Sequence, residues 1–184
     1  MKIKENLTEK DFKEMADLEA LFYGEEHISP YEEAYGWYQQ YPWYNVVLEE
    51  DDKIVAFLEL FPMTETLYQA YRSGCFDDDG LSAEDIVDIF SAEPGQYNLC
   101  WLTIAVHPEY RGKGALHQLF AYQVEFYEQF RKKGIIFDRV ITDNVTEEGI
   151  NFSKKLGFSK VKDTIFGTVI YEMGYTQFKE RVTG

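Results

Sequence analysis

The stretch Val106–Phe120, VHPEYRGKGALHQLF, decides how the rest of the chain is read. It follows a nearly unbroken apolar run, YNLCWLTIAV, of the kind a strand buried on both faces shows. His107-Pro108 ends that strand, because the residue before a proline is restricted and the proline itself donates no hydrogen bond. Beyond the turn, Leu116, Leu119, Phe120, Val124, Tyr127 and Phe130 fall on one broad helical face. Arg111, Gly112, Lys113 and Gly114 lie at the junction. A helix start leaves backbone N–H groups unpaired and carries a partial positive charge. Glycines let an anion approach such a backbone closely, and Arg111 and Lys113 add full charges. The junction is therefore either a capped turn with incidental charges or a seat for a pyrophosphate-like anion. It is not a Walker A loop, since GxxxxGK[ST] is absent, and no GxGxxG dinucleotide fingerprint occurs.

Working outward, MKIKENL reads as a first strand. Thr8 with Asp11 three residues on forms a capping box for a helix carrying Phe12, Met15, Leu18, Leu21 and Phe22, expected to stop near Gly24. In SPYEEAYGWYQQY, Ser29 is the expected cap and Pro30 the first-turn residue of a second helix. NVVLEEDDKIVAFLELF has a hairpin pattern, although its acidic turn lacks Asn-Gly or Asp-Gly and so defines the register less firmly. Residues 62–97 are the least legible, apart from a turn and short helix in FDDDGLSAEDIVDIF with Ser82 and Asp85 as a capping box. The aspartates before Gly80 do not make a calcium loop: the alternating ligands are missing and position 75 is Cys. Downstream, Arg131, Lys132, Lys133 and Gly134 close the long helix as a C-terminus favours. FDRVIT is a strand, TEEGINFSKKLGF a helix from Thr146 to Gly157, and KVKDTIFGTVIYEM a final hairpin. The expected class is mixed α/β, one domain over 1–184, with 62–97 as an insertion or variable segment.

The chain has 184 residues, 31 of them Phe, Tyr or Trp, enough apolar material for one real core. Its net charge of −15 is unevenly spread. Residues 1–98 carry 6 Lys and Arg against 23 Asp and Glu, whereas residues 99–184 carry 12 against 10. An acidic surface repels nucleic acid, so no nucleic-acid partner is expected. Cys75 and Cys100 make no metal-ligand spacing, and no metal site is expected. Without a signal-like start or a long apolar span, the expectation is a cytoplasmic protein with no membrane attachment.

Two blocks carry a family resemblance. LTIAVHPEYRGKGALHQLF resembles the signature segment of the GNAT N-acyltransferase superfamily: an apolar strand, Val-x-Pro, then Arg/Gln-x-x-Gly-x-Gly/Ala opening a helix. GINFSKKLGF resembles the second block, an Ala/Gly-x-x-Phe-Tyr-x-Lys-x-Gly-Phe helix. The likeness is strong over 98–173 and architectural over 1–97. It implies a GNAT-like mixed central sheet flanked by helices, with two parallel strands splayed at a coenzyme A site. It also implies acetyl-CoA as co-substrate, the arm running along Ile104, Ala105 and Val106. The pyrophosphate would meet the backbone of Arg111, Gly112, Lys113, Gly114, Ala115 and Leu116. Asn144 is either an arm contact or a loop and cap residue.

Two departures from the family pattern bear on chemistry. The last Gly/Ala of the turn motif falls on Leu116, a change that backbone donors survive. The Tyr that protonates the departing thiolate in many members falls on Ser153, a much poorer acid, although a thiol of pKa about 8.5 leaves tolerably unaided. Acyl transfer needs a neutral amine, so a base or proton path helps. The positions where several members carry a strand carboxylate are Leu102 and Thr103 here. Glu59, inside an apolar strand, and Asp143, at the end of FDRVIT, are the alternative candidates, each weighed against an ordinary surface or helix-entry carboxylate. A backbone N–H near Val106 would meet the developing oxyanion. His107 is read as shaping the turn, His117 as packing or surface, and Cys100 as a small hydrophobe.

The acidic half is rich in aromatic residues, Tyr31, Tyr35, Trp37, Tyr38, Tyr41, Trp43 and Tyr44. These either receive a cationic amine, by charge and cation–π attraction, or form a core under an acidic surface. The favoured function is acetyl transfer from acetyl-CoA to a primary amine of a small cationic acceptor or peptide, by direct attack in a ternary complex. The alternatives are a catalytically weak CoA-binding sensor and an acidic interaction protein that docks through 62–97. Family members are often dimers, so a homodimer is compatible with the resemblance.

Overall fold

In the computed structural model, residues 1–24, 27–77 and 80–184 are described. Asp78 and Asp79, two of the three aspartates before Gly80, lie outside them. Seven strands form a mixed sheet in the order β1-β2-β3-β4-β5-β7-β6, with helices around it. The strands are β1 (Lys2–Ile3), β2 (Asn45–Glu50), β3 (Lys53–Met63), β4 (Gly95–Val106), β5 (Ile135–Asn144), β6 (Ser159–Asp163) and β7 (Val169–Gly174). The helices are α1 (Glu9–Glu19), α2 (Tyr31–Gln40), α3 (Glu65–Ser73), α4 (Ala115–Glu128), α5 (Glu147–Leu156) and α6 (Tyr175–Thr183). By contact density the chain divides into two compact units. One holds residues 1–59 and 103–123, the other 60–102 and 124–184.

In the first unit, Thr8 and Asp11 form the expected capping box, the Asp11 carboxylate accepting from the Thr8 N–H at 2.7 Å. Phe12, Met15 and Leu18 of α1 pack on Val47, Phe57 and Ala105. The helix stops at Glu19, short of Gly24, because Leu21 and Phe22 donate to carbonyls three residues back and tighten the chain into a turn. α2 starts after Pro30, which stands at the cap position expected for Ser29. Its Tyr35 and Tyr38 rings pack against Phe12 at 5.5 and 5.4 Å, and Tyr38 Oη accepts from the Leu7 N–H. The aromatic run thus contributes largely to packing between α1 and α2. β2 and β3 join through Asp51 and Asp52, both with positive φ (50° and 61°). That two-residue turn matches strand twist and pairs Glu50 with Lys53 and Glu49 with Ile54; a bulge between Leu48 and Glu49 then shifts the ladder by one, so that Asn45 faces Glu59 and Val47 faces Phe57.

In the second unit, β4 runs parallel to β5 from Gly95↔Ile135 to Cys100↔Ile141. β5 pairs antiparallel with β7, and β7 with β6. Leu99, Cys100 and Trp101 are buried as a doubly covered strand requires, but Leu102 is only half-buried. The stretch 62–97 contains a helix the sequence reading did not find, α3, capped by Thr64 and ended by Gly74 in the left-handed region. The expected helix after Ser82 is a single 3-10 turn with its capping box intact. α6 was also unread. Its Tyr175, Phe178 and Val182 are buried, an i, i+3, i+7 stripe too short to stand out in the sequence.

Candidate functional site

The turn after β4 is built from backbone constraints. His107 N–H donates to the Val55 carbonyl at 2.9 Å, which ties the strand end to β3 within the first unit. His107 Nδ1 accepts from the Glu109 N–H, so this side chain shapes the turn as its position implied. Gly112 and Gly114 take φ of 75° and 84°, where L-residues are strained. A Cβ at either would meet nothing within 4 Å, so torsion, not crowding, selects glycine. Residues 111–114 are exposed, and the following Ala115 is buried at the start of α4. The Arg111 guanidinium lies 4.8 Å over the Phe22 ring and the Lys113 ammonium 5.0 Å from that of Tyr110. The Arg111 and Lys113 N–H groups, expected to meet a pyrophosphate, instead donate to the Pro108 and Tyr110 carbonyls. What the turn offers an oligophosphate is therefore open space, two cations and the amides at the start of α4. Leu116, the departure from the family pattern, is half-buried.

A second feature of the same unit is a buried polar cluster beside β4. Glu59, only 7% exposed, faces Asn45 across the β2–β3 ladder. The Thr103 hydroxyl of β4 lies close enough to Glu59 and to Glu19, the last residue of α1, to hold each carboxyl down. The Tyr44 hydroxyl donates to the Ala34 carbonyl at 2.9 Å and also holds the Glu59 carboxyl down. Burial dominates the titration of both acids. It pushes Glu59 from 4.5 up to about 7, opposed by Asn45, Thr103 and Tyr44. Burial and the nearby Glu59 charge push Glu19 up to about 8, opposed by Thr103. Asn45 lowers Glu59 by proximity, yet its Oδ1 and Nδ2 are both buried and neither makes a hydrogen bond of ordinary geometry. Just past this cluster, the Tyr23 hydroxyl donates to the Ile104 carbonyl at 3.2 Å.

These shifts have a consequence for stability. Both carboxyls hold protons more tightly in the folded chain than the ordinary value of 4.5. The folded state therefore binds more protons than the unfolded state between about pH 4.5 and 8. The pair's contribution is full below pH 4.5 and is lost as the pH rises through about 7 and 8. For Glu59 alone the loss is on the order of 3 kcal/mol. Urea unfolding at pH 5, 6, 7 and 8 is expected to show this decline, with a flatter slope in Glu59→Gln.

The remaining candidates belong to the second unit. Asp143 Oδ2 accepts from the Thr168 hydroxyl at 2.7 Å. Asn144 is buried, its Oδ1 accepting from Ser153 Oγ at 2.9 Å and its Nδ2 donating to the Val169 carbonyl at 3.4 Å. Ser153 itself is fully buried. In the first unit, by contrast, Glu59 lies with Glu19, Tyr44, Asn45 and Thr103. Sequence reasoning missed Glu19, Asn45 and Tyr23, and named Tyr44 only as a member of the aromatic run. The signal for Glu19 was present: it falls seven residues after Phe12 and four after Met15, on the apolar stripe of α1. Asn45 had no such signal, because only the hairpin register places it opposite Glu59.

A family model described as "Acetyltransferase (GNAT) family" matches residues 12–158. No curated protein sequence is significantly similar to the chain. Among solved structures, the loading GNATL domain of CurA from Lyngbya majuscula is similar at a TM-score of 0.66 and 14% identity, over 95% of this chain and 98% of that one. PaiA N-acetyltransferase from Thermoplasma acidophilum, solved with coenzyme A, is similar at 0.55 and 19% identity, over 95% and 100%. Chaetomium thermophilum Naa20, solved with a bisubstrate analogue, is similar at 0.58 and 15% identity, over 95% and 85%. At these identities the structural likeness concerns the fold.

Proposed function

The chain belongs to the GNAT acetyltransferase family, and from that premise we propose that it transfers acetyl from acetyl-CoA to the nitrogen of a primary amine, with Glu59 as general base. The observation that carries the reading is Glu59 itself: a buried carboxyl beside Thr103 of β4, raised to about 7, close to working pH where a base is most effective. An aliphatic amine titrates near 10 and arrives as ammonium. Glu59 takes one of its protons, the freed nitrogen forms the new C–N bond, the C–S bond to coenzyme A breaks, and the nitrogen releases a second proton to solvent as the amide forms. The thiolate, of pKa about 8.5, takes its proton from solvent.

In this reading the backbone of Gly112, Gly114, Ala115 and Leu116, with the side chains of Arg111 and Lys113, holds the pyrophosphate. The backbone of Ile104, Ala105 and Val106 meets the arm. Asn144 is the proposed further arm contact, with Ser153 holding its amide in place. Asp143 is the alternative base, which makes Asp143→Asn the matched control for Glu59→Gln. One observation favours a second reading, a CoA-binding sensor with weak catalysis: Ser153, at the family's Tyr position, is fully buried with its proton on Asn144. Radiolabelled acetyl-CoA incubated with a panel of primary amines separates the two. An N-acetylated product is the expected outcome. Coenzyme A binding with no product from any amine would leave the sensor.

A further inference from the structure

We propose that Phe22 and Tyr23, in the turn after α1, act on the two halves of the coenzyme A site from one short segment. Phe22 positions the Arg111 guanidinium for the pyrophosphate, and Tyr23 holds the Ile104 carbonyl until the pantetheine arm displaces it. The inference rests on the reading of the turn and of β4 as the coenzyme A site, and it adds to that reading two residues outside both family blocks. The segment is built to make both contacts. The Phe22 and Tyr23 N–H groups donate to the same Glu19 carbonyl, at 2.8 and 3.0 Å, so both side chains spring from one tight turn. Phe22 also packs on the core cluster that contains Phe12, Val47 and Ala105, which gives its ring a fixed place.

The Arg111 guanidinium lies 4.8 Å over the Phe22 ring, inside the reach of about 6 Å over which a ring face attracts a cation. Residue 111 is exposed, and an exposed arginine loses rotamer freedom when it binds an anion. The ring face fixes where the guanidinium sits without using an N–H donor, so part of that ordering precedes the anion. Tyr23 acts in the opposite sense. The β4–β5 ladder runs to Cys100↔Ile141, and Ile104 lies beyond its end. There the Tyr23 hydroxyl donates to the Ile104 carbonyl, at 3.2 Å. That is longer than the roughly 2.5–3.0 Å usual for O–H···O, so the bond is a weak one. An amide N–H of the arm, settling at about 2.9 Å, makes a better bond to the same acceptor. The arm therefore displaces the phenol, whereas a ligand that carries only the diphosphate leaves it in place.

The test uses the full chain and two probes, coenzyme A and 3′-phosphoadenosine 5′-diphosphate, which keeps the diphosphate and lacks the arm. Affinities are read by calorimetry. Tyr23→Phe is expected to raise the affinity for coenzyme A about threefold, because the competing hydroxyl is gone, and to leave that for the armless probe unchanged. With tyrosine rings labelled with 13C and the Tyr23 signal assigned through Tyr23→Phe, coenzyme A is expected to move that signal and the armless probe to leave it. Phe22→Leu keeps an apolar side chain on the core and removes the ring face. It is expected to weaken both probes about threefold, with affinity restored in Phe22→Tyr. In an Arg111→Ala background the same change is expected to have no further effect. Unchanged or lowered coenzyme A affinity in Tyr23→Phe, or a Tyr23 signal that responds equally to both probes, would overturn the displacement. A Phe22→Leu effect of equal size with and without Arg111 would reduce Phe22 to a packing residue. If the parent chain binds neither probe, the coenzyme A reading fails and this proposal with it. Coenzyme A binding that leaves Tyr23 in place defeats the displacement alone.

Discussion

Glu59→Gln is expected to lower kcat/KM for acetylation of a primary amine at pH 7 by about 10²–10⁴-fold, the usual range for loss of a general base. The substitution keeps shape and most hydrogen bonding and removes only the capacity to accept a proton. In the unsubstituted chain, kcat/KM is expected to rise with pH through about 7, as the Glu59 carboxyl ionises. In Glu59→Gln that limb disappears. The same variant is expected to be more stable than the parent at pH 8, because a buried carboxylate without a counter-charge is replaced by a neutral amide. Lost activity with gained stability separates a chemical role from a damaged fold. Unchanged activity, with Asp143→Asn inactive, would move the base to Asp143.

Arg111→Ala with Gly114→Glu is expected to abolish coenzyme A binding. A ligand of the folded state present at about 100 times its Kd adds roughly 2.7 kcal/mol of stability, readily seen as a shift in Tm. The double variant removes a cation, puts a carboxylate where the anion would sit, and fills space that is open beyond Gly114. Gly114 has φ of 84°, so any side chain there also strains the backbone by about 1–2 kcal/mol. Gly167→Glu is the control: Gly167 has φ of 86° and equally open space, but lies in the β6–β7 hairpin. Its variant is expected to lose similar stability and keep the coenzyme A shift. If the double variant keeps that shift too, the turn is a structural cap and the pyrophosphate reading fails.

Elements with a local cause were legible in the chain. The Thr8 and Asp11 box, the Gly134 and Gly157 helix stops and the apolar strand before His107 each follow from a few adjacent residues. α3 was not, since its hydrophobic stripe is only three residues, Leu67, Tyr68 and Tyr71, and its cap is a lone threonine. The aromatic run from Tyr31 to Tyr44 shows the limit of composition. Its rings suit a cation equally well in sequence, and only packing against Phe12 and Leu7 assigns several of them to the core.

The candidate site divides in the same way. The order of the two family blocks, the glycines of the turn and the placement of a carboxylate inside the β3 apolar run were determined by sequence alone. Each depends on short-range spacing, and short-range spacing is what a linear chain displays. Tertiary structure decided that Glu59 is not alone. Asn45 meets it through a register set by two left-handed aspartates and the bulge after Leu48, Glu19 through the packing of α1 on the sheet, and Thr103 through a strand more than forty residues away. Burial, which raises both carboxyls toward neutrality, is a property of that assembly and of no residue within it.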